Sequence, residues 1–137
     1  MSRDTQLSAD ELRNINAALV SLARVRDWAI GDVERLLEDW FRVVNAVVQG
    51  YSSTIYEYQN DLDGRQILQE LIIVLPRHYG LKLNSILRTW DDRFRHATKE
   101  TDKQHCTPSA EELGWWCYRV PKILITNADN ESQMDYW

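Results

Sequence analysis

Between Val33 and Tyr51, the apolar side chains Val33, Leu37, Trp40, Val44, Val47 and Tyr51 recur at three- and four-residue steps. An α-helix with that period gathers them on one face, whereas a strand would scatter them over both. The segment from about Ile30 to Gln49 therefore reads as an amphipathic helix that Gly50 stops. Such a helix cannot bury its stripe alone, so the rest of the chain must supply partner surfaces. Arg35 with Asp39, and Glu38 with Arg42, stand one turn apart and mark the opposite face as solvated. An acidic docking stripe of Asp32, Glu34, Glu38 and Asp39 is the competing reading of the same charges.

Three further segments carry the helical period. Ser8-Ala9-Asp10-Glu11 has capping-box spacing and predicts a helix start, followed by Leu12, Ile15, Leu19 and Leu22 on one stripe. After Tyr51 the pattern breaks. Thr54 to Glu57 offers a second capping box, and Asn60-Asp61-Leu62-Asp63-Gly64 concentrates turn-favouring residues, so a short helical turn is expected before a longer helix. Ile67, Leu68, Leu71, Ile72 and Leu75 give that helix a wide apolar face, and Pro76 ends it or opens the next. From Arg77 to Lys99, the residues Tyr79, Leu83, Ile86, Leu87, Trp90, Phe94 and Ala97 line one side of a fourth helix.

Residues 100–108 read as a surface loop, with a small cap signal at Ser109 to Glu112. Leu113 to Ile125 then packs Trp115, Trp116, Tyr118, Val120 and Ile123 around Pro121, in a form that is either extended or helical. The expected fold is all-α: a bundle of about four main helices with the aromatic-rich C-terminal segment packed against it. Residues 1–7 form an N-terminal extension and residues 8–125 a single helical domain. Residues 126–137 form an acidic, mobile tail whose terminal aromatic can dock.

At 44% apolar residues the chain is rich enough to build one core, and its net charge of −5 argues against a general nucleic-acid binder. No stretch is long and apolar enough for a membrane span, and Met1 to Leu7 has no apolar run behind a basic start. A cytoplasmic protein is therefore expected. Two cysteines, Cys106 and Cys117, do not make a disulfide framework, and reduced thiols are the expectation that follows.

Catalytic chemistry finds little support. Glu57, Asp61 and Asp63 supply hard oxygen donors for a divalent cation, but their spacing misses the calcium-loop pattern, and capping by Asp61 or Asp63 is the simpler reading. Asp91 and Asp92 point about 100° apart on a helix, so they cannot share a proton as a dyad. Intrahelical pairs of Arg88 with Asp92 and Asp91 with Arg95 explain them better. A partly buried bridge from Arg65 to Asp91 or Asp92, across two helices, is a further structural reading.

His96, His105, Cys106 and Cys117 match no zinc spacing, and Cys106 lacks an oriented base. Only five glycines are present, and no phosphate loop or hydrolase motif occurs. No metal and no cofactor are expected.

The most unusual run is Trp115-Trp116-Cys117-Tyr118-Arg119, since tryptophan, tyrosine and arginine supply much of the energy at protein interfaces. Trp115, Trp116, Tyr118 and Arg119 are accordingly the candidate partner-binding residues. The competing reading is that this run plugs the open end of the bundle. The functional expectation is a non-catalytic cytoplasmic protein-binding module such as an immunity protein, antitoxin or inhibitor. Its alternatives are a small metal-dependent enzyme or metal-binding protein built around Asp61, and a subunit of a homo- or hetero-oligomer.

Overall fold

The structure is a computed structural model that describes residues 6–26, 31–107 and 113–137. The four expected helices form: α1 (Ala9–Arg26), α2 (Val33–Gln49), α3 (Ile55–Val74) and α4 (Arg77–Ala97). Ile30 and the Ser109 to Glu112 cap signal lie outside the described residues.

Each helix start has a local cause. The Ser8 Oγ accepts from the Glu11 N–H at 3.1 Å while the Glu11 carboxylate accepts from the Ser8 N–H at 2.8 Å, which completes the capping box of α1. At α2 the Asp32 carboxylate accepts from the Arg35 N–H, and at α3 the Thr54 hydroxyl accepts from the Glu57 N–H. Leu75 and Pro76 separate α3 from α4, so the proline both ends one helix and opens the next.

The turn expected at residues 60–64 does not form, and α3 runs through it without interruption. Tyr58, Leu62 and Arg65 lie on one buried stripe, and their packing outweighs the cost of Gly64 within the helix. Asp61 and Asp63 are thereby mid-helix residues rather than caps.

One cluster of buried side chains joins the helices. Ile15 and Leu19 of α1 meet Leu37, Trp40 and Val44 of α2, Leu62, Leu68 and Leu71 of α3, and Leu83, Leu87 and Phe94 of α4. Trp40 packs on Phe94, and Phe41 stacks on Trp90.

The C-terminal region is neither purely helical nor purely extended. A 3-10 turn at Trp115–Tyr118 leads into β2 (Arg119–Pro121), which pairs antiparallel with β1 (Thr98–Glu100) directly after α4. A disulfide joins Cys106 to Cys117, correcting the expectation of reduced thiols. The loop after β1 returns beside the 3-10 turn, where the His105 N–H donates to the Cys117 carbonyl at 2.7 Å, and this brings the two cysteines together.

The acidic tail, expected to be mobile, is tied back to the bundle. The Asn130 side-chain amide donates to the Ser52, Ser53 and Ile125 carbonyls, and the Gln133 side chain accepts from the Ile55 N–H. Trp137 ends beside Tyr51, Tyr58 and His105. No described helix is long and apolar enough to cross a membrane.

Candidate functional site

The most developed polar site lies where α1, α3 and α4 meet the Leu113–Trp116 segment. Its floor is an ion pair between helices. The Arg65 Nε and Nη2 donate to the two Asp91 carboxylate oxygens at 3.1 and 2.9 Å, and the Trp40 indole donates to the same carboxylate at 2.9 Å. The central carbon of the Arg65 guanidinium lies over the Trp116 ring, 4.1 Å from its centroid, and Nη1 makes a long contact with Gln69. Arg65 is thus held on one edge by carboxylate and on one face by indole, an arrangement suited to a planar delocalised cation.

Above this floor opens a cleft of about 520 Å³. Trp115 and Trp116 wall one side, their rings meeting edge-on at 5.5 Å. Leu22, Leu113, Ile73 and Val74 give it an apolar lip, and a second ion pair, Arg26 with Glu70 at 2.8 Å, stands at the rim. Ile73 is 65% exposed and Val74 55% exposed, although both border the cleft. The Trp116 indole nitrogen is buried and has no hydrogen-bond partner.

The four residues singled out for partner binding do not form one surface. Trp115 lines the cleft with the Arg95 guanidinium stacked over it at 4.0 Å, and Trp116 is buried in the wall. Arg119 turns inward: its Nε donates to the Thr98 hydroxyl, and its Nη2 donates to the Arg95 and Thr98 carbonyls at the end of α4. The end of a helix exposes unpaired carbonyls, and a cation there satisfies them. Tyr118 alone projects into solvent.

The carboxylates weighed as metal ligands are likewise divided. Asp61 accepts from the Tyr51 hydroxyl at 2.7 Å, while Asp63 accepts from the Thr107 N–H at 2.8 Å and from its hydroxyl. Burial raises the Asp61 pKa above the usual carboxylate range, with nearby Glu57 adding to the rise against the lowering effect of the Tyr51 hydrogen bond. The same burial and the Asp61 charge push the Tyr51 phenol well above its ordinary value. Among the described residues no group of three His, Cys, Asp or Glu side chains is placed to hold a metal ion.

Asp92 pairs with Arg95 rather than with Arg88 or Arg65, so of the two bridges weighed for Arg65 the one to Asp91 forms. Arg42 pairs with Asp39. The His96 Nδ1 lies 2.7 Å from the Asp92 carbonyl, and the disulfide removes both cysteines from any zinc or nucleophile role. The cleft itself was missed in the sequence: the apolar face read on this helix comprised Ile67, Leu68, Leu71, Ile72 and Leu75, and left out Ile73 and Val74, which border the cleft.

No family model, no curated protein and no solved structure matches this chain.

Proposed function

We propose that the protein is a non-catalytic protein-binding module, of the kind used as an immunity protein, antitoxin or enzyme inhibitor, and that the tryptophan-walled cleft receives its partner. One observation carries the reading: Ile73 and Val74 stay exposed beside Trp115 on the lip of a cleft of about 520 Å³. Clustered aliphatic and aromatic side chains around a concavity are what a partner's buried anchor residue needs. The polar floor is already internally paired, so it selects shape and desolvation rather than chemistry.

The occupant is a helix or loop presenting an aliphatic or aromatic side chain, with basic residues around it to suit the net charge of −5. An inhibitor of a basic enzyme such as a nuclease meets that description. The disulfide favours an oxidising compartment over the reducing cytoplasm. Thiol counting on protein taken from native cells decides between them.

The test is photo-crosslinking in native cells, from a reactive residue placed at position 73 and, as control, at exposed position 123. The expected result is one stoichiometric adduct from position 73, lost when Trp115→Ala is added and helix content is unchanged. Absence of an adduct, or equal adducts from both positions, overturns the reading. An adduct of twice the chain mass transfers it to the homo-oligomer alternative.

A further inference from the structure

A second concavity, of about 760 Å³, lies between the C-terminal halves of α2 and α4 and is bordered at one end by the residues after β2. It shares no lining residue with the tryptophan-walled cleft. Its walls are aliphatic: Val47 and Val48 from α2, Ala97 from α4, and Ile123. The Lys122 N–H donates to the Ala97 carbonyl at 3.0 Å, which holds the last wall against the end of α4. Val48 is 48% exposed and Ile123 53% exposed, so the groove presents uncovered apolar surface.

Two cations stand in the same lining, Arg93 on α4 and Lys122 after β2, and among the described residues neither pairs with a carboxylate. Arg93 is nevertheless positioned. Its guanidinium carbon lies over the Trp90 ring, 4.8 Å from the centroid, and Trp90 stacks in turn on Phe41. A cation seated on a ring face keeps its N–H edges for an acceptor. The carboxylate in the lining, Asp92, is answered by Arg95 at 3.4 Å. In a chain of net charge −5 the groove is thus a local positive field beside apolar walls.

The lining restricts the occupant. None of the described lining residues is aromatic, so a nucleobase finds no stacking platform. Two exposed aliphatic side chains supply little of the roughly 800 Å² that each partner buries in a standard protein interface, whereas the volume suits a small ligand. From Thr89 to Ala97 the groove follows α4 for about 12 Å, the reach of an extended chain of roughly eight to ten carbons.

We propose that the α2–α4 groove is a binding site for a single-chain aliphatic carboxylate, such as a medium-chain fatty acid. The alkyl chain covers Val48 and Ile123, and the carboxylate accepts from Arg93 and Lys122. The site does not depend on the role of the tryptophan-walled cleft.

The test is NMR titration of the full chain, labelled at ¹⁵N and at its methyl groups, with sodium octanoate. Acetate and octylamine are the controls for head group alone and for chain with the opposite charge. The expected result is a saturable shift of the Val48 and Ile123 methyl signals at a Kd below about 1 mM, with no saturation by either control. No saturation with octanoate up to ~10 mM overturns the proposal. So does an equal response to acetate, which would mark an adventitious ion only, or to octylamine, which would mark unselective apolar contact. Shifts of the same methyls with protein concentration in the ligand-free chain would assign the groove to a second copy and overturn it too. Arg93→Gln/Lys122→Gln, both exposed positions, is expected to weaken octanoate binding about 10-fold with an otherwise unchanged spectrum. Unchanged affinity overturns the proposal. Should that variant fail to fold, Ile123→Ser replaces it with the same expected direction and the same overturning result.

Discussion

Arg65 on α3 grips Asp91 on α4 through two hydrogen bonds at 3.1 and 2.9 Å, with its side chain only 3% exposed. Because Trp40 of α2 donates to the same carboxylate, one acidic side chain fixes the relative register of three helices. Removing only one partner leaves a buried charge unanswered. Arg65→Met or Asp91→Leu is expected to cost about 3–5 kcal/mol in urea denaturation, and the double substitution less than the sum of the singles. Strict additivity would show that the pair does not act as a unit.

Gly64 sits inside α3 with nothing within 4 Å of where a Cβ would stand. Gly64→Ala is therefore expected to stabilise the fold by about 1 kcal/mol, raising the urea midpoint at constant slope. Gly50 should behave in the opposite way. Its φ is 120°, and an added Cβ would lie 2.7 Å from the Ile125 Cδ1, so Gly50→Ala lowers the same midpoint.

The disulfide closes a short loop, its cysteines 11 residues apart. Cys106→Ser/Cys117→Ser is expected to destabilise the chain by about 2–4 kcal/mol. Both sulfurs are buried, so thiol-labelling kinetics after addition of reductant should follow global unfolding. Prompt reduction of the native protein would contradict that burial.

Burial depresses the pKa of His105 in the folded chain, so the unfolded chain binds the extra proton first. Stability from this residue is complete above the ordinary histidine pKa of about 6.5 and is lost as pH falls from there through the depressed native value. His105→Phe should remove that part of the slope. The wild-type minus variant difference in denaturation free energy, measured from pH 8 to 5, gives it directly, because the carboxylates cancel.

Asp61 works in the other direction. Its raised pKa means the folded chain holds the proton longer, so its contribution is favourable below about 3.8 and declines as pH rises through the native value. Tyr51→Phe removes the hydroxyl that donates to the carboxylate and should cost about 1–3 kcal/mol at pH 7, where Asp61 is charged. A smaller cost at pH 4 than at pH 7 is the expected signature in chemical denaturation.

The features legible in the sequence were those set by neighbours along the chain. Ser8 with Glu11, Thr54 with Glu57, and the Val33 to Tyr51 stripe each state a local preference that packing reinforces. What failed was settled at long range. Asp61 and Asp63 look like caps until Tyr51 and Thr107 arrive to occupy them, and the turn signal around Gly64 loses to the burial of Leu62 and Arg65. Cys106 and Cys117 are 11 residues apart and only the return of the loop beside the 3-10 turn brings them together. Arg119 looked like an interface anchor because its residue type suits one. The carbonyls that hold it belong to Arg95 and Thr98, where a helix end attracts a cation.

Trp137 fills space between Tyr51 and Tyr58, which stand at the start of α3 and just before it. Those two rings leave the ribosome long before the indole that covers them. A nascent chain that has not yet reached residue 137 therefore carries an open aromatic seam, offered to whatever chaperone waits at the exit tunnel, and the arrival of that indole closes it.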